Sequence, residues 1–190
     1  MGNNLKSLQC VPIFSTPNRK VNIVILGIDQ AGKTTFLYRI KYQELFPTIP
    51  TIGFNIEKVK IGDQHMATLW DVGGQDRLRA IWPHYYKGID GIIFLVDSSD
   101  ASRLPEAKYE LHNAYTSREL HQVPLLVLAN KQDLPHAMTS EDIVTGLGLE
   151  SLPHQNYFVQ PTSLTNGEGI EEGIKEMDKM LIQRRMKTSQ

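Results

Sequence analysis

A chain of 190 residues with 41% hydrophobic and 22% charged residues, 14 glycines and 10 prolines has the size and make-up of one globular domain, which excludes collagen-like, coiled-coil and disordered classes. A single cysteine, Cys10, excludes an internal disulfide framework and a multi-cysteine metal site, and the six histidines show no metal-ligand spacing. The net charge of −1 is uneven: Lys6, Arg19 and Lys20 near the start, and Lys179, Arg184, Arg185 and Lys187 at the end, stand in stretches without an acid, so the acidic body between them is no nucleic-acid binder while the basic ends suit an anionic surface.

Taken in chain order, Val21 to Leu26 is a short apolar run ending at a glycine, and Lys33 to Tyr42 follows as a helix with Phe36, Leu37 and Ile40 on one side. Phe54 to Ile61 and Met66 to Trp70 read as two strands joined by a Gly62-Asp63 turn, a hairpin rather than a crossover. Gly91 to Val96 and Leu125 to Ala129 are continuous apolar runs of the kind that form buried parallel strands. Between them, Pro105 to Leu120 has helical spacing. Thr139 with Asp142 is an N-cap arrangement before a short helix, Tyr157 to Gln160 is a last strand, and Ile170, Ile174, Met177 and Leu181 stripe a final helix. The alternation predicts an α/β fold with a mostly parallel sheet covered on both faces, whose ligands sit at the carboxyl ends of the strands. The longest apolar runs are far short of the roughly 20 residues that a membrane-spanning helix needs.

The residues that carry chemistry fall at that edge. Gly27-Ile28-Asp29-Gln30-Ala31-Gly32-Lys33-Thr34 fits G-x-x-x-x-G-K-[S/T] and lies between a strand and a helix, where that pattern has to be. Its glycines let backbone N–H groups turn onto a phosphate chain, Lys33 neutralises the terminal phosphates, and the Thr34 hydroxyl is a ligand for Mg²⁺. The candidate contacts are Gly27, Asp29, Gln30, Ala31, Gly32, Lys33, Thr34 and Thr35. ATPases, kinases and GTPases share this loop, so it does not name the base. Asn130-Lys131-Gln132-Asp133 follows the strand ending at Ala129. A carboxylate there accepts from guanine N1–H and its 2-amino group, whereas adenine would leave the anion unpaired. The stem of Lys131 covers the base, and Asn130 ties the segment to the phosphate loop. In Trp70-Asp71-Val72-Gly73-Gly74-Gln75, Asp71 is placed to hold Mg²⁺ through water and Gly74 to turn its N–H to a γ-phosphate. Gln75 has no useful pKa, but its amide orients an attacking water. Thr51, in the loop before the hairpin, completes the Mg²⁺ shell only when a third phosphate is present, which makes it a switch.

The segments GIDQAGKT, PTIGFN, WDVGGQD and NKQD, in this order and spacing, resemble the ADP-ribosylation factor family of small GTPases, in its ARF-like branch, over residues 20 to 184. The resemblance implies a Ras-like P-loop GTPase fold: a six-stranded, mostly parallel sheet with one antiparallel strand, flanked by about five helices. It implies a GTPase domain over 20–184, a membrane-interaction segment over 1–19 and a basic tail over 185–190. Thr51 and Gln75 mark the two switches, Gln75 and Lys33 serve hydrolysis, and Phe54, Trp70 and Tyr85 form a hydrophobic effector patch. Guanine nucleotide with Mg²⁺, an exchange factor, a GTPase-activating protein, GTP-dependent effectors and a membrane surface are the implied partners of a monomer, which recruits effectors in vesicle trafficking or cytoskeletal regulation. In that family the hairpin slides by two residues on GTP binding and expels the N-terminal segment.

Gly2 follows Met1 as N-myristoylation requires, while Lys6 stands where a Ser or Thr is expected and Ser7 comes one place late. Leu5, Leu8, Val11, Ile13 and Phe14 supply an apolar anchor, since one acyl chain alone binds reversibly. These features predict a cytoplasmic protein held peripherally at a membrane, with a nuclear pool if the Arg184-Arg185-Met186-Lys187 end acts as an import signal. Departures from the family pattern lie in Ser163-Leu164-Thr165, where Leu164 replaces the usual Ala beside the guanine and is expected to alter affinity; in Ala80 and Pro83, which should reshape the second switch; and in a hairpin one residue longer than usual. No arginine in the first switch serves as a finger, so unassisted turnover is expected on the order of 10⁻⁴ per second. Two other functions fit parts of the pattern. A GTP-dependent scaffold with little hydrolysis lacks a use for Gln75, and a P-loop ATPase or nucleotide kinase conflicts with Asp133.

Overall fold

Alternation along the apolar runs decides how the chain layers. In the computed structural model, which describes residues 19–120, 122–153 and 156–188, six strands form one sheet: β1 (Arg19–Leu26), β2 (Phe54–Ile61), β3 (His65–Val72), β4 (Gly91–Asp97), β5 (Leu125–Asn130) and β6 (Tyr157–Pro161). Their order is β2-β3-β1-β4-β5-β6, with β2 antiparallel to β3 and every other pair parallel. Five helices complete it: α1 (Lys33–Tyr42), α2 (Asp76–Arg79), α3 (Leu104–Tyr115), α4 (Ser140–Leu147) and α5 (Ile170–Thr188). This is the Ras-like architecture expected above.

Successive residues of the central strands face opposite layers. Val24, Leu26, Ile92, Phe94, Val96, Leu125 and Val127 pack with Leu111 and Tyr115 of α3 and Ile143 and Leu147 of α4. Ile23, Ile25, Ile93, Leu95, Leu126 and Leu128 pack with Phe36 and Leu37 of α1 and Met177, Met180 and Leu181 of α5. Burial on both faces is why these strands read as unbroken apolar runs.

Local signals place the helix ends. Thr139 caps α4 reciprocally, its hydroxyl accepting from the Asp142 N–H at 3.2 Å while its own N–H donates to Asp142 Oδ2 at 2.9 Å, and Gly148 closes the helix at φ 64°. Spacing carried the α3 helix too far: it ends at Tyr115, not Leu120. The Thr116 hydroxyl donates to Asn113 O at 2.6 Å, and the Ser117 N–H to Ala114 O at 3.1 Å, so the last turn tightens. Leu120 is buried from the turn that follows.

The basic end is not a detached tail as far as it is described. α5 runs through 185–188, Arg184 Nη1 donates to Asp90 O at 2.8 Å and Arg185 Nη2 to Lys20 O at 3.3 Å, so both arginines fasten the helix to the sheet. At the other boundary Arg19 already belongs to β1, paired with His65. The β2–β3 hairpin tip is fastened as well: His65 is fully buried with Nδ1 2.6 Å from Asp178 Oδ1 of α5. Gly62, at φ 55°, makes room for this pair, since a Cβ there would stand 2.3 Å from Asp178 Cγ. Gly2, Cys10 and the rest of 1–18 lie outside the described residues.

Candidate functional site

Four strand ends converge on one edge. Gly27 follows β1, Asp97 and Asn130 end β4 and β5 as register partners, and Thr162–Leu164 follow β6. Gly27 sits at φ 137°, where a Cβ would meet Leu95 O at 2.4 Å, so the first loop glycine is required both by conformation and by contact. Gly32, at φ 101°, caps α1 without a side-chain hydrogen bond, and no acid stands in the first turn of that helix. The helix therefore presents open N–H groups and its positive end to an anion.

That end opens into a cavity of about 280 Å³, lined by Asp29, Gln30 and Gly32–Thr35, the 48–51 segment, and Gly74 with Gln75. Lys33 is buried beside it and donates to Ile28 O at 2.9 Å. Burial lowers its pKa to about 8, against the opposing pull of the Asp71 and Asp29 carboxylates. Thr34, Thr51 and Asp71 meet in one place: the two hydroxyl oxygens are 2.7 Å apart, and Asp71 Oδ2 accepts from Thr34 at 2.8 Å, Asn55 at 3.0 Å and Thr51 at 3.4 Å. Asp71 Oδ1 is buried with no hydrogen-bond partner among the described residues. Burial pushes the Asp71 carboxyl upward despite those hydrogen bonds. Two hydroxyls and an orphaned carboxylate oxygen are a hard-oxygen donor set that fits Mg²⁺.

Gly74 lies directly on the phosphate loop. Its carbonyl accepts from the Asp29 N–H at 3.0 Å, and a Cβ on it would fall 2.2 Å from Lys33 Nζ and 2.5 Å from Gly27 O. Gln75 is exposed at the mouth of the cavity and opens α2, taking the Leu78 N–H on its carbonyl at 2.8 Å. After Arg79 the chain passes Ala80 and enters a separate 3-10 turn, Trp82–Tyr85, with Pro83 at its start; the second switch is thus two short turns rather than one helix.

On the base side, Asn130 is buried and bridges the two loops, donating to Ala31 O at 2.9 Å and accepting the Leu164 N–H at 3.2 Å. Lys131, at φ 67°, pairs with Asp97 Oδ2 at 2.5 Å. Burial raises the Asp97 pKa, but its hydrogen bonds from Lys131 and Ser99 outweigh this and hold the carboxyl below its ordinary value. Asp133 is exposed and accepts from Ser163 Oγ at 2.7 Å. Leu164 follows Ser163 on this side of the site. Its side chain is 4% exposed and packs into the α1–α5 layer beside Gly32, because an apolar side chain gains more in the core than against a polar base edge. Its N–H is also engaged by Asn130, so a base carbonyl there would have to share that donor.

Phe54, Trp70 and Tyr85 come together from three segments, with ring centroids 5.3 to 6.1 Å apart. Ile49, which lines the cavity, and Ile52, two residues before Phe54, are 84% and 91% exposed, apolar side chains of the kind that a partner site uses. Sequence reading missed three features: Asp97 as partner of Lys131, the fastening of the hairpin by Asp178, and a set of charges around Arg79. Asp97 had a signal, being an acid at the carboxyl end of a buried strand; the other two depend on distant pairings such as Arg79 with Glu110, 31 residues apart, and His65 with Asp178, 113 residues apart.

A family model described as the ADP-ribosylation factor family matches residues 8–181. Among solved structures, the Arl6 BBS3 small GTPase from Trypanosoma brucei with bound nucleotide analogue GppNp is similar at TM-score 0.80 and 30% sequence identity, over 87% of this chain and 99% of that one.

Proposed function

This chain belongs to the ADP-ribosylation factor family, in its ARF-like branch, and is a small GTPase; from that premise we propose how it binds and hydrolyses GTP and where it acts. The observation that carries the reading is the meeting of Thr34, Thr51 and Asp71 beside Lys33, with Gly74 and Gln75 closing the same cavity. Thr34, Thr51 and Asp71 would hold Mg²⁺, which when bound would supply positive charge to the phosphates. Lys33 and the N–H groups of 30–35 hold the phosphate chain, while the Asp29 N–H is held by Gly74 O. Asp133 accepts from guanine N1–H and the 2-amino group, Lys131 covers the base, Asn130 keeps base and phosphate loops in register, and Ser163 and Leu164 border the base.

Hydrolysis is in-line attack. A water oxygen bonds to the γ-phosphorus, the bridge to the β-phosphate breaks, GDP leaves, and the proton of the water passes to the phosphate released. Gln75 orients that water through its amide, and the Gly74 N–H meets the charge on the γ-phosphate. Thr51 and Gly74 engage only when a third phosphate is present, so the GTP form fixes both switch segments and, with them, the aromatic patch Phe54, Trp70 and Tyr85 that effectors read. The protein works as a monomer with an exchange factor and a GTPase-activating protein. It recruits effectors in vesicle trafficking or cytoskeletal regulation and acts from the cytoplasm at a membrane surface, attached through acylated Gly2 and the apolar residues after it.

Titration of nucleotide-stripped protein with GDP, GTP and ATP in Mg²⁺, followed by the fluorescence of Trp70 and Trp82, tests the reading. Tight guanine binding with a GTP-specific signal supports it, and equal or tighter ATP binding overturns the role of Asp133. Single-turnover hydrolysis separates an enzymatic switch from a scaffold: Gln75→Leu should slow it, and equal rates would remove Gln75 from the mechanism. The intact mass of protein from a eukaryotic host decides whether Gly2 is acylated.

A further inference from the structure

Arg79 is a charged side chain placed where few charges are found. It is 8% exposed, four residues after Gln75, and its Nε donates to Gly74 O at 2.7 Å. The rest of its guanidinium is enclosed by carboxylates from three segments: Asp29 of the phosphate loop at 3.3 Å, Asp76 of α2 at 2.7 Å, and Glu106 and Glu110 of α3 at 2.7 and 3.3 Å. Arg103 shares two of them, reaching Asp29 Oδ1 at 2.7 Å and Glu106 Oε2 at 2.8 Å. The set therefore ties the phosphate loop, the start of α2 and the first turns of α3 to one planar group. Only arginine has the five fixed donors to do this; a lysine ammonium has neither the fork nor the reach.

The contact with Gly74 has a specific consequence. Gly74 O belongs to the peptide plane that joins Gly74 to Gln75. Holding that oxygen with two donors, Arg79 Nε and the Asp29 N–H at 3.0 Å, fixes the plane and with it the Gln75 Cα from which the side chain departs. The preceding plane, which carries the Gly74 N–H, is fixed separately: Trp82 Nε1 donates to Gly73 O at 2.9 Å from a buried ring. Two side chains each hold one of two successive peptides over the phosphate site.

We propose that Arg79 is a positioning residue for GTP hydrolysis: anchored by Asp29, Glu106 and Glu110, it sets the Gly74–Gln75 peptide and thereby the place of the Gln75 amide over the γ-phosphate end of the cavity. This rests on the reading that Gln75 orients the attacking water. Arg79 touches no reacting atom. It acts on rate through geometry, and displacement of a catalytic group by about 1 Å is enough to cost about 10²-fold. The phosphate loop is also kept from repelling its own ligand, because Asp29, which lines the cavity, has its charge matched by Arg79 and Arg103.

Arg79→Lys keeps a cation among the carboxylates and removes the directed Nε bond. In full-length protein preloaded with GTP and assayed well below the melting temperature of the variant, single-turnover hydrolysis should fall about tenfold or more while GDP dissociation stays within about threefold; the melting temperature itself should drop, since a lysine cannot hold all four carboxylates. Glu106→Gln, which loosens the fork without removing it, should give a smaller fall of the same kind, about threefold, and serves if Arg79→Lys does not fold. Gln75→Leu is measured alongside. If Gln75→Leu is slow and both other variants hydrolyse as the wild type does, the positioning role is wrong and the Gln75 reading stands. If Gln75→Leu is as fast as wild type, the Gln75 reading fails and takes this inference with it. If hydrolysis falls only in step with faster GDP loss, Arg79 is a structural residue of the nucleotide site and the proposal is overturned.

Discussion

Replacing Gly74 with Ala asks whether the second switch must touch the phosphate loop for hydrolysis to proceed. The position is not in the left-handed backbone region, so an alanine is resisted by space alone. Its Cβ would lie 2.2 Å from Lys33 Nζ, 2.5 Å from Gly27 O and 2.7 Å from Ile28 C. The lysine end can shift, but the two backbone atoms belong to a loop fixed by its own glycines. To reach ordinary contact distance, the Gly74 segment has to lift by roughly 1 Å. That stretches the bonds to Gly74 O from the Asp29 N–H, now 3.0 Å, and from Arg79 Nε, now 2.7 Å. Two hydrogen bonds of about 1 kcal/mol net each, one of them charge-assisted, put the loss near 2–3 kcal/mol. If that closed arrangement is formed in the transition state, the loss corresponds to roughly 30–150-fold in rate. Phosphate release from preloaded GTP measures it, with GDP dissociation as the control, since GDP contacts the phosphate and base loops and not Gly74. Hydrolysis within about twofold of wild type would refute the reasoning, because the contact between Gly74 and the loop would then be irrelevant to the chemistry.

Nucleotide affinity should depend on pH through Lys33, whose pKa is lowered to about 8 in the free protein by burial. Phosphates favour the charged ammonium, so binding takes up a proton above pH 8 and affinity falls by up to about tenfold per pH unit there; calorimetry in buffers of different ionisation enthalpy detects that proton. The same shift acts on stability with the opposite slope. Between about pH 8 and 10.5 the unfolded chain binds the extra proton, so this group makes nucleotide-free protein more stable as pH rises, which a pH series of melts can check. Asp178→Ala removes the hydrogen-bond partner of fully buried His65, leaves its Nδ1 unpaired and should cost about 1–3 kcal/mol, while Asp178→Asn should cost less; urea unfolding measures both. Asp133→Asn replaces an acceptor by an amide, and guanine affinity should fall by about two to three orders of magnitude while xanthine nucleotides, with an oxygen at C2, gain, as competition binding would show.

What the sequence determined by itself is what lies within one turn or one strand. The phosphate loop is contiguous, so its glycines, Lys33 and Thr34 could be read together with the strand and helix around them. The Thr139 and Asp142 cap spans three residues, and unbroken apolar runs marked the strands because those strands are buried on both faces. Resemblance, not spacing, brought Phe54, Trp70 and Tyr85 into one patch. Local pattern misled where a neighbouring surface decided the outcome. A helix read through to Leu120 has its apolar stripe only as far as Tyr115, and Thr116 and Ser117 end it there. The basic residues from 185 read as the start of a short tail, yet Arg184 and Arg185 hold the last turns of α5 to backbone carbonyls of the body. Only the tertiary structure could decide which side chains meet across the sheet. Arg79 gathers acids from positions 29, 76, 106 and 110, Asp178 closes on His65, and the Leu164 N–H turns to Asn130. These pairings follow from strand order and register, which bring distant segments to one edge, and no periodicity along the chain encodes the distances between them.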